Sequence, residues 1–384
     1  MKGSKESASN NRPIMSLSIL GTRGIPAQHG GFETFAEYLS IYLANQGWDV
    51  TVYCQTSHPT ASPVVKWKGV TLRNIGTNMP GAIGTIIYDV KCILDTMRSN
   101  SIILTLGYNT AIFDVFLRAK GLTNIFNMDG IEWRREKWNF FERAWLYFNE
   151  RIGCYVGNHL IADHPEIKRH LSKRVDQEKI TMIPYGSTRI SKGDPKILET
   201  IGLEPSSYVL VVARPEPENS ILEIVRGFSS KDRGYKLLIL GDYHPEDNEY
   251  HRVVKASASK NVLFAGALYD PTAVSSLRYH SLLYIHGHTV GGTNPSLVEA
   301  MGAGNPILAH DNAFNRWVAG DDNHYFRDEN ELNTKLDELL KNKIELAKMS
   351  SSSYARHQKH FTWEIVLKQY EELLIQAARA KIHF

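Results

Sequence analysis

The 384-residue chain lacks most of the features that mark secreted, nucleic-acid-binding or membrane-spanning proteins. Its three cysteines, Cys54, Cys92 and Cys154, form no CxxC pair or Cys/His cluster, so we expect neither a disulfide framework nor a zinc site. The formal net charge is only +3 and basic residues are interleaved with acids, which excludes nucleic acid as the expected partner. These absences indicate a protein of the reducing cytoplasm.

No apolar run is long enough to span a bilayer. The nearest candidate, SIILTLGYNTAIFDVFL, is short and is interrupted by Gly107, Asn109 and Asp114. The polar opening MKGSKESASNNRP lacks the apolar segment of a signal peptide, and we expect residues 1–13 to be a disordered lead-in.

Several catalytic signatures are also absent: a GxxxxGK phosphate loop, an HExxH metal motif, a GxSxG nucleophile elbow and a DxD carboxylate pair. A diphosphate bound here would therefore be neutralised by arginine and helix amides. We expect no metal and no cofactor.

Short apolar runs alternate with amphipathic segments from start to end. The first series is 14–20, 49–53, 101–106, 123–128 and 158–163, and the second is 208–213, 236–242, 261–266, 282–287 and 306–310. Strands separated by helices predict parallel sheets covered on both faces. We predict an α/β protein with two doubly wound, Rossmann-like domains, 14–190 and 191–360, joined near the Gly/Pro-containing stretch 185–195. A last helix within 361–384 is expected to cross back to the first domain.

Ligands of open α/β sheets bind outside the carboxyl ends of the strands, so the loops that follow strands carry the functional hypotheses. Gly30 and Gly31 precede a helix and leave amides free for phosphate or developing negative charge; a plain tight turn is the alternative.

The stretch GGTNPSLVEAMGAG has the same character. Pro295 suits a first helical turn, and Asn294 or Thr293 suits its cap. The amides of Gly292 and Thr293 would then cradle a diphosphate. Glu299, one turn further, would accept bonds from two neighbouring ribose hydroxyls, unless it is an ordinary solvated glutamate.

Two further loops hold charged candidates. Arg214 ends a strand, and its planar guanidinium suits a phosphate; an ion pair with Glu216 or Glu218 is the alternative. Asp129 follows another strand and would accept a proton or orient a sugar hydroxyl, unless it merely forms an Asp-Gly turn.

An aromatic stripe follows Asp129 at helical spacing: Trp138, Phe141, Trp145, Phe148 and Ile152. Most such stripes are core. The alternative, a surface that contacts lipid headgroups with the help of nearby basic residues, stays open.

Two stretches, GTRGIPAQHGGFETFAEYL and HGHTVGGTNPSLVEAMGAGNPILA, resemble family-4 glycosyltransferases of the GT-B fold, in particular a bacterial subgroup with rhamnosyltransferases of capsule and O-antigen synthesis. The resemblance spans nearly the whole chain. It implies two Rossmann-like domains that face a central cleft, and a retaining, metal-independent transfer of a sugar from a nucleotide-diphosphate donor to an acceptor hydroxyl.

The resemblance also assigns residues. Asp129 would contact the transferred sugar as the catalytic residue. The donor-binding positions would be Gly30, Gly31, Arg214, Asn219, Gly291, Gly292, Thr293, Asn294 and Glu299.

Two departures from the family pattern bear on the donor. Gly291 stands where relatives have a sugar-binding Glu, and Glu218-Asn219 stands where they have Glu-Lys. The loss of that Lys halves the fixed positive charge, so Arg134 or Arg135 would assist the phosphate.

The sequence thus predicts a cytoplasmic enzyme that transfers rhamnose or another hexose to a lipid-linked glycan at the inner face of the plasma membrane. A nucleotide-sugar epimerase and a catalytically inactive donor-binding module remain alternatives. A nicotinamide dehydrogenase is disfavoured because no intact dinucleotide fingerprint follows the first strand.

Overall fold

The computed structural model describes residues 15–28, 30–57 and 63–382. The predicted lead-in, residues 1–13, lies outside these ranges. No helix within them is both long and apolar enough to cross a membrane.

The first eight strands form one sheet: β1 (Ser16–Leu20), β2 (Asp49–Thr56), β3 (Val64–Trp67), β4 (Val70–Gly76), β5 (Ile102–Leu106), β6 (Asn124–Asn127), β7 (His159–Ala162) and β8 (Ile180–Met182). Their order across the sheet is β3-β4-β2-β1-β5-β6-β7-β8. Leu17 of β1 lies opposite Val50 of β2 and Ile102 of β5 in parallel registers, whereas β3 is antiparallel to β4. Strand β5 is buried along its whole length, which explains why it lacks the polar alternation of a half-exposed strand.

The other six strands form a second sheet: β9 (Tyr208–Val212), β10 (Lys236–Leu240), β11 (Val262–Phe264), β12 (Leu283–His286), β13 (Ile307–His310) and β14 (His324–Phe326). Their order is β11-β10-β9-β12-β13-β14, and every neighbouring pair is parallel. Successive β9 residues point to opposite faces, so Val209 and Val211 join one apolar cluster while Tyr208 and Leu210 join another. Helices therefore cover both faces of this sheet.

The α-helices lie between and after these strands. They are α1 (Gly30–Asn45), α2 (Gly81–Thr96), α3 (Val115–Ala119), α4 (Phe140–Val156), α5 (Pro165–Leu171), α6 (Lys196–Glu199), α7 (Ile221–Ser229), α8 (Glu249–Ala256), α9 (Pro271–His280), α10 (Pro295–Gly302), α11 (Ala313–Ala319), α12 (Glu329–Leu339), α13 (Lys343–His360) and α14 (Trp363–Ile382).

Local chemistry explains where two of these helices begin. Helix α10 starts at Pro295, and the Asn294 side chain caps it by accepting from the Ser296 N–H at 3.0 Å. Helix α4 starts with a capping box, in which Asn139 and Glu142 each accept from the other's backbone N–H.

The chain divides into two compact units. One comprises the residues up to Leu106, Ile112–Ile125 and the end of the chain from Glu371; the other comprises Gly107–Ala111 and Phe126–Tyr370. Within the first unit, the Tyr42 hydroxyl donates to the Glu371 carboxylate at 2.7 Å, so the end of α14 groups with the start of the chain.

The division between these units does not follow the predicted boundary near residue 190. The predicted linker lies inside the second unit and is hydrogen-bonded there: Ser187 N–H donates to Phe361 C=O at 2.8 Å, and Ile190 N–H donates to Gly302 C=O at 2.9 Å. The predicted fold class, α/β with two parallel-sheet domains, is confirmed.

Candidate functional site

Four strand ends of the second unit supply the candidate site. Asp129 follows β6, Asp163 follows β7, Arg214 lies just after β9, and the loop 291–294 lies between β12 and α10. Strands β6 and β7 belong to the first sheet, and β9 and β12 belong to the second. In each sheet the carboxyl ends of the strands are the expected place for a ligand. Sequence reasoning named three of these four places and missed Asp163.

Asp129 is held in an uncommon backbone conformation. Its φ is +53°, and its N–H donates to the Asn127 side-chain oxygen at 3.1 Å. The Asn127 amide in turn donates to the Tyr370 hydroxyl at 2.9 Å, which fixes the turn. Burial, followed by the negative charge of Glu132, raises the pKa of Asp129 to about 6. A positive φ at a non-glycine residue and a raised carboxyl pKa are both typical of functional sites, and Asp129 has both.

Asp163 lies against the loop that precedes α10. The Thr293 N–H donates to Asp163 Oδ2 at 2.7 Å, and the Thr293 hydroxyl donates to the Asp163 carbonyl. Asp163 Oδ1 is buried and has no hydrogen-bond partner within the described structure. Burial, followed by the charge of Asp129, raises the pKa of Asp163 to about 7. Two desolvated carboxyl groups therefore influence each other at this edge.

Glycines allow the loops around these carboxyl groups to touch. A Cβ on Gly130 would lie 2.7 Å from the Gly291 carbonyl oxygen, and a Cβ on Gly292 would lie 2.9 Å from Asp163 Oδ2. A Cβ on Gly291 would lie 2.2 Å from the ring of Phe314. The Phe314 ring therefore excludes any side chain at position 291, which gives a physical reason for the departure noted there.

His164 holds Phe314 in that place. The two rings lie 4.9 Å apart, and the His164 Nε2 is 3.3 Å from the Phe314 carbonyl oxygen. The Glu166 N–H donates to His164 Nδ1 at 3.0 Å, so the proton of the neutral ring sits on Nε2. Burial lowers the pKa of His164 to about 4, which keeps the imidazole neutral at physiological pH.

One of the two amides of the predicted cradle at the start of α10 is already bonded within the protein. The Thr293 N–H donates to Asp163, the Ser296 N–H donates to the Asn294 cap, and the Leu297 N–H donates to the Asn294 carbonyl. Pro295 has no N–H to offer. The Thr293 amide and the first turn of α10 are thus committed within the protein, because Asn294 caps the helix and Asp163, which follows β7, accepts from Thr293.

A cluster of cationic side chains lies beside the carboxyl pair. Arg135 forms ion pairs with Glu132 at 2.9 Å and with Glu218, and it is mostly buried. The Arg214 guanidinium lies 4.0 Å from Glu218, and its side chain is 65% exposed. The pKa of Lys137 is lowered by burial first and then by the positive charges of its neighbours Arg135 and Arg214. Arg135, Lys137 and Arg214 thus lie close to the carboxylates of Glu132 and Glu218, and Arg135 and Lys137 also act on Asp129.

Two other predicted residues do not join this cluster. Asn219 is buried and braces its own loop: its amide donates to the Arg214 carbonyl at 2.9 Å, and its Oδ1 lies 2.8 Å from His288 Nδ1. Arg134 is exposed and stacks over the Trp133 ring at 5.2 Å. Of the two arginines expected to assist the phosphate, only Arg135 lies next to the loop after β9.

Glu299 has a partner that sequence reasoning missed. The Arg278 guanidinium lies 2.5 Å from Glu299 Oε2 and 3.5 Å from the Ser296 hydroxyl. The Arg278 side chain is buried, whereas the Glu299 side chain is 34% exposed. The ion pair holds Glu299 against a buried anchor while part of its side chain stays exposed. No sequence signal pointed to Arg278, because it lies on α9 and meets α10 only through the fold.

Gly30 and Gly31 belong to the first unit. Helix α1 begins at Gly30, whose φ of +73° suits glycine, and a Cβ there would lie 2.8 Å from Glu33 Oε2. The Glu33 carboxylate accepts from the Arg23 N–H at 3.1 Å. The local geometry therefore fits the interpretation of these glycines as a tight turn.

Comparisons with known proteins give the class of this chain. Residues 196–356 match the family described as glycosyl transferases group 1, and residues 14–188 match a domain of unknown function, DUF1972. The comparison with curated proteins found no match. The chain is a glycosyltransferase, and its second sheet with the surrounding helices lies within the group 1 domain.

Solved structures share the fold over nearly the full length. A sucrose-phosphate synthase from Thermosynechococcus elongatus is 15% identical with a TM-score of 0.81, over 95% of this chain and 100% of that one. HepE from Anabaena, solved with UDP and glucose, is 14% identical with a TM-score of 0.76, over 94% and 100%. A glycosyltransferase from Rickettsia africae is 14% identical with a TM-score of 0.72, over 96% and 99%. The chain therefore has the GT-B fold.

Proposed function

We propose that this glycosyltransferase transfers a hexose, with rhamnose as the first candidate, from a nucleotide-diphosphate donor to a hydroxyl of a lipid-linked glycan. The observation that carries the proposal is a cluster of charged groups at strand ends of the second unit. Arg135 and Arg214 meet at Glu218, Arg135 and Lys137 act on Asp129, and Asp129 acts on Asp163. Cations suit a diphosphate, and carboxylates suit sugar hydroxyls. The structural neighbour HepE was solved with UDP-glucose, which is the same donor class.

In this proposal the diphosphate is held by cations in place of a metal ion. Charge that develops on the leaving diphosphate would be stabilised by Arg214 and Lys137. Glu299, steadied by Arg278, would accept from the ribose hydroxyls of the donor. The reaction would retain the anomeric configuration, with the leaving phosphate accepting the proton of the acceptor hydroxyl.

Asp129 is the residue we assign to the transferred sugar. Its backbone is fixed by Asn127, and its pKa of about 6 leaves most of the carboxylate charged at neutral pH. We expect Asp129→Asn to keep donor binding and to lower turnover by about 10²–10⁴-fold. Wild-type turnover in this variant would remove Asp129 from the chemistry.

The lipid-linked acceptor requires contact with a membrane surface, and α4 offers a face for it. Phe140, Phe141, Phe148 and Tyr155 are all exposed on this helix, with Phe141 at 81%. The predicted stripe is thus core only in part. Two acids that would weaken lipid binding are engaged within the protein, because Glu132 pairs with Arg135 and Glu142 caps α4.

We propose that this α4 face docks on an anionic leaflet at the cytoplasmic side, helped by the exposed Arg134, Arg143 and Arg151. Phe141→Ser together with Phe148→Ser should weaken binding to phosphatidylglycerol-containing vesicles by about tenfold or more. Ile344→Ser is the matched control, since Ile344 is 85% exposed on a different helix. Equal vesicle binding by both proteins would contradict the docking face.

A thermal-shift panel tests the donor assignment directly. The panel contains UDP-glucose, dTDP-rhamnose and GDP-mannose with the matching diphosphates. We expect one base to stabilise the protein and its sugar form to be consumed with a lipid-linked acceptor. No shift from any of them would contradict a donor site. Interconversion of the donor sugar without acceptor would indicate an epimerase, and binding without turnover across acceptors would indicate an inactive module.

A further inference from the structure

Asp163 is the buried carboxylate of the site that no expectation had included. It directly follows β7, and Thr293 holds it from across the fold with two bonds, one to the side chain and one to the backbone. Thr293 itself is buried, so both ends of this contact are fixed. The Asp163 side chain is therefore positioned as firmly as a residue of a regular helix or strand.

One oxygen of this side chain has no partner. Oδ2 accepts the Thr293 N–H, but Oδ1 is buried and accepts no hydrogen bond within the described structure. A buried polar atom without a partner is rare in native proteins and usually has a functional reason. The bond to the Thr293 N–H uses only one oxygen of the carboxylate, so the described contacts give Oδ1 no structural role.

The surroundings of Asp163 favour a ligand that donates hydrogen bonds. The nearest charged group that acts on it is another carboxylate, Asp129, and no cation pairs with it in the described structure. The backbone contact between Gly130 and Gly291 brings the two loops together beside both acids. A neutral molecule rich in hydroxyl groups fits two adjacent carboxyl groups without adding charge.

We propose that Asp163 is a specificity-determining residue whose Oδ1 accepts a hydrogen bond from a hydroxyl of the transferred sugar. This inference rests on the proposed function, since it assigns a contact to the sugar of the same donor. It also explains how the site binds a sugar although Phe314 excludes any side chain at Gly291.

The test compares donor sugars with their diphosphates by calorimetry, using UDP and UDP-glucose together with dTDP and dTDP-rhamnose. Asp163→Asn should lower the affinity for the nucleotide sugar by about tenfold or more, and it should change the affinity for the diphosphate by less than about twofold. Asp176→Asn, an exposed acid after α5, is the matched control and should change neither. Thr293→Val keeps the side-chain bond to Asp163 but removes the hydroxyl bond, and it should give a smaller loss of the same kind.

Deoxy donors separate this role from a structural one. If one hydroxyl of the sugar contacts Asp163, the donor that lacks this hydroxyl should bind wild type as weakly as the complete donor binds Asp163→Asn. The variant itself should bind the deoxy donor and the complete donor with equal affinity. An equal loss of diphosphate and sugar affinity in Asp163→Asn would overturn the inference, as would tighter UDP binding by Asp163→Ala. If wild type binds neither these four probes nor GDP and GDP-mannose, the proposed function fails. If it binds them and Asp163→Asn behaves as wild type, only the assignment of Asp163 fails.

Discussion

Substitutions in the ion pair between Arg278 and Glu299 can distinguish a role in stability from a role in donor binding. Glu299→Ala leaves the buried Arg278 guanidinium without its partner. Breaking a buried pair typically costs 3–5 kcal/mol; because the Glu299 side chain is 34% exposed, we expect about 2–3 kcal/mol here. The same change removes a carboxylate that we assign to binding of the ribose. We expect UDP binding to weaken by about 1.5–3 kcal/mol, which is a loss of about 10–150-fold in affinity.

The double variant Glu299→Ala with Arg278→Met distinguishes the two effects. Replacing both partners of a buried pair by apolar groups is often close to neutral, so urea unfolding should return nearly to the wild-type midpoint. UDP affinity measured by calorimetry should stay as weak as in the single variant. Unchanged UDP binding in Glu299→Ala would refute the ribose assignment, and recovered affinity in the double variant would reduce Glu299 to a structural partner of Arg278.

Three further predictions follow from the same contacts. Gly291→Ala should lower the free energy of unfolding by about 1–3 kcal/mol, because its Cβ meets the Phe314 ring, whereas Gly153→Ala, with ordinary contacts, should not; equal urea midpoints would contradict this. The raised pKa of Asp163 means that the folded protein holds this proton more tightly than the unfolded chain does, so its contribution to stability is complete below about pH 4 and is lost as the pH rises through about 7. In urea titrations, Asp163→Asn should therefore gain stability relative to wild type between about pH 5 and 8. EDTA should leave turnover unchanged if cationic side chains hold the diphosphate without a metal ion. Loss of activity that is restored only by added Mg²⁺ would refute that.

Sequence periodicity predicts five strands of each sheet, because buried strands and amphipathic helices alternate at regular spacing. It also predicts the cap of α10, since Asn294 and Pro295 act within a few residues of each other. The strands β3, β4, β8 and β14 are missed. Three of them are only three or four residues long, and β3 and β4 form a small antiparallel pair that carries little periodic signal.

The partners inside the site are beyond the reach of local patterns. Thr293 meets Asp163 across 130 residues of sequence, and Arg135 meets Glu218 across 83. The bond of the Thr293 amide, one of the two amides of the predicted cradle, could not be foreseen for this reason, because its acceptor is a distant carboxylate. Asp163 nevertheless carries a usable signal: it ends a predicted strand, as Asp129 does, and the rule on carboxyl ends of strands applies equally to both.

The central claim is that the cations and carboxylates at these strand ends of the second unit bind a sugar nucleotide. A crystal structure of the protein with bound UDP-glucose tests it most directly. The account predicts diphosphate oxygens within about 3 Å of the side chains of Arg214 or Lys137, and the glucose beside Asp129 and Asp163. UDP-glucose bound with its diphosphate away from these cations, or with its sugar away from both carboxyl groups, would contradict it.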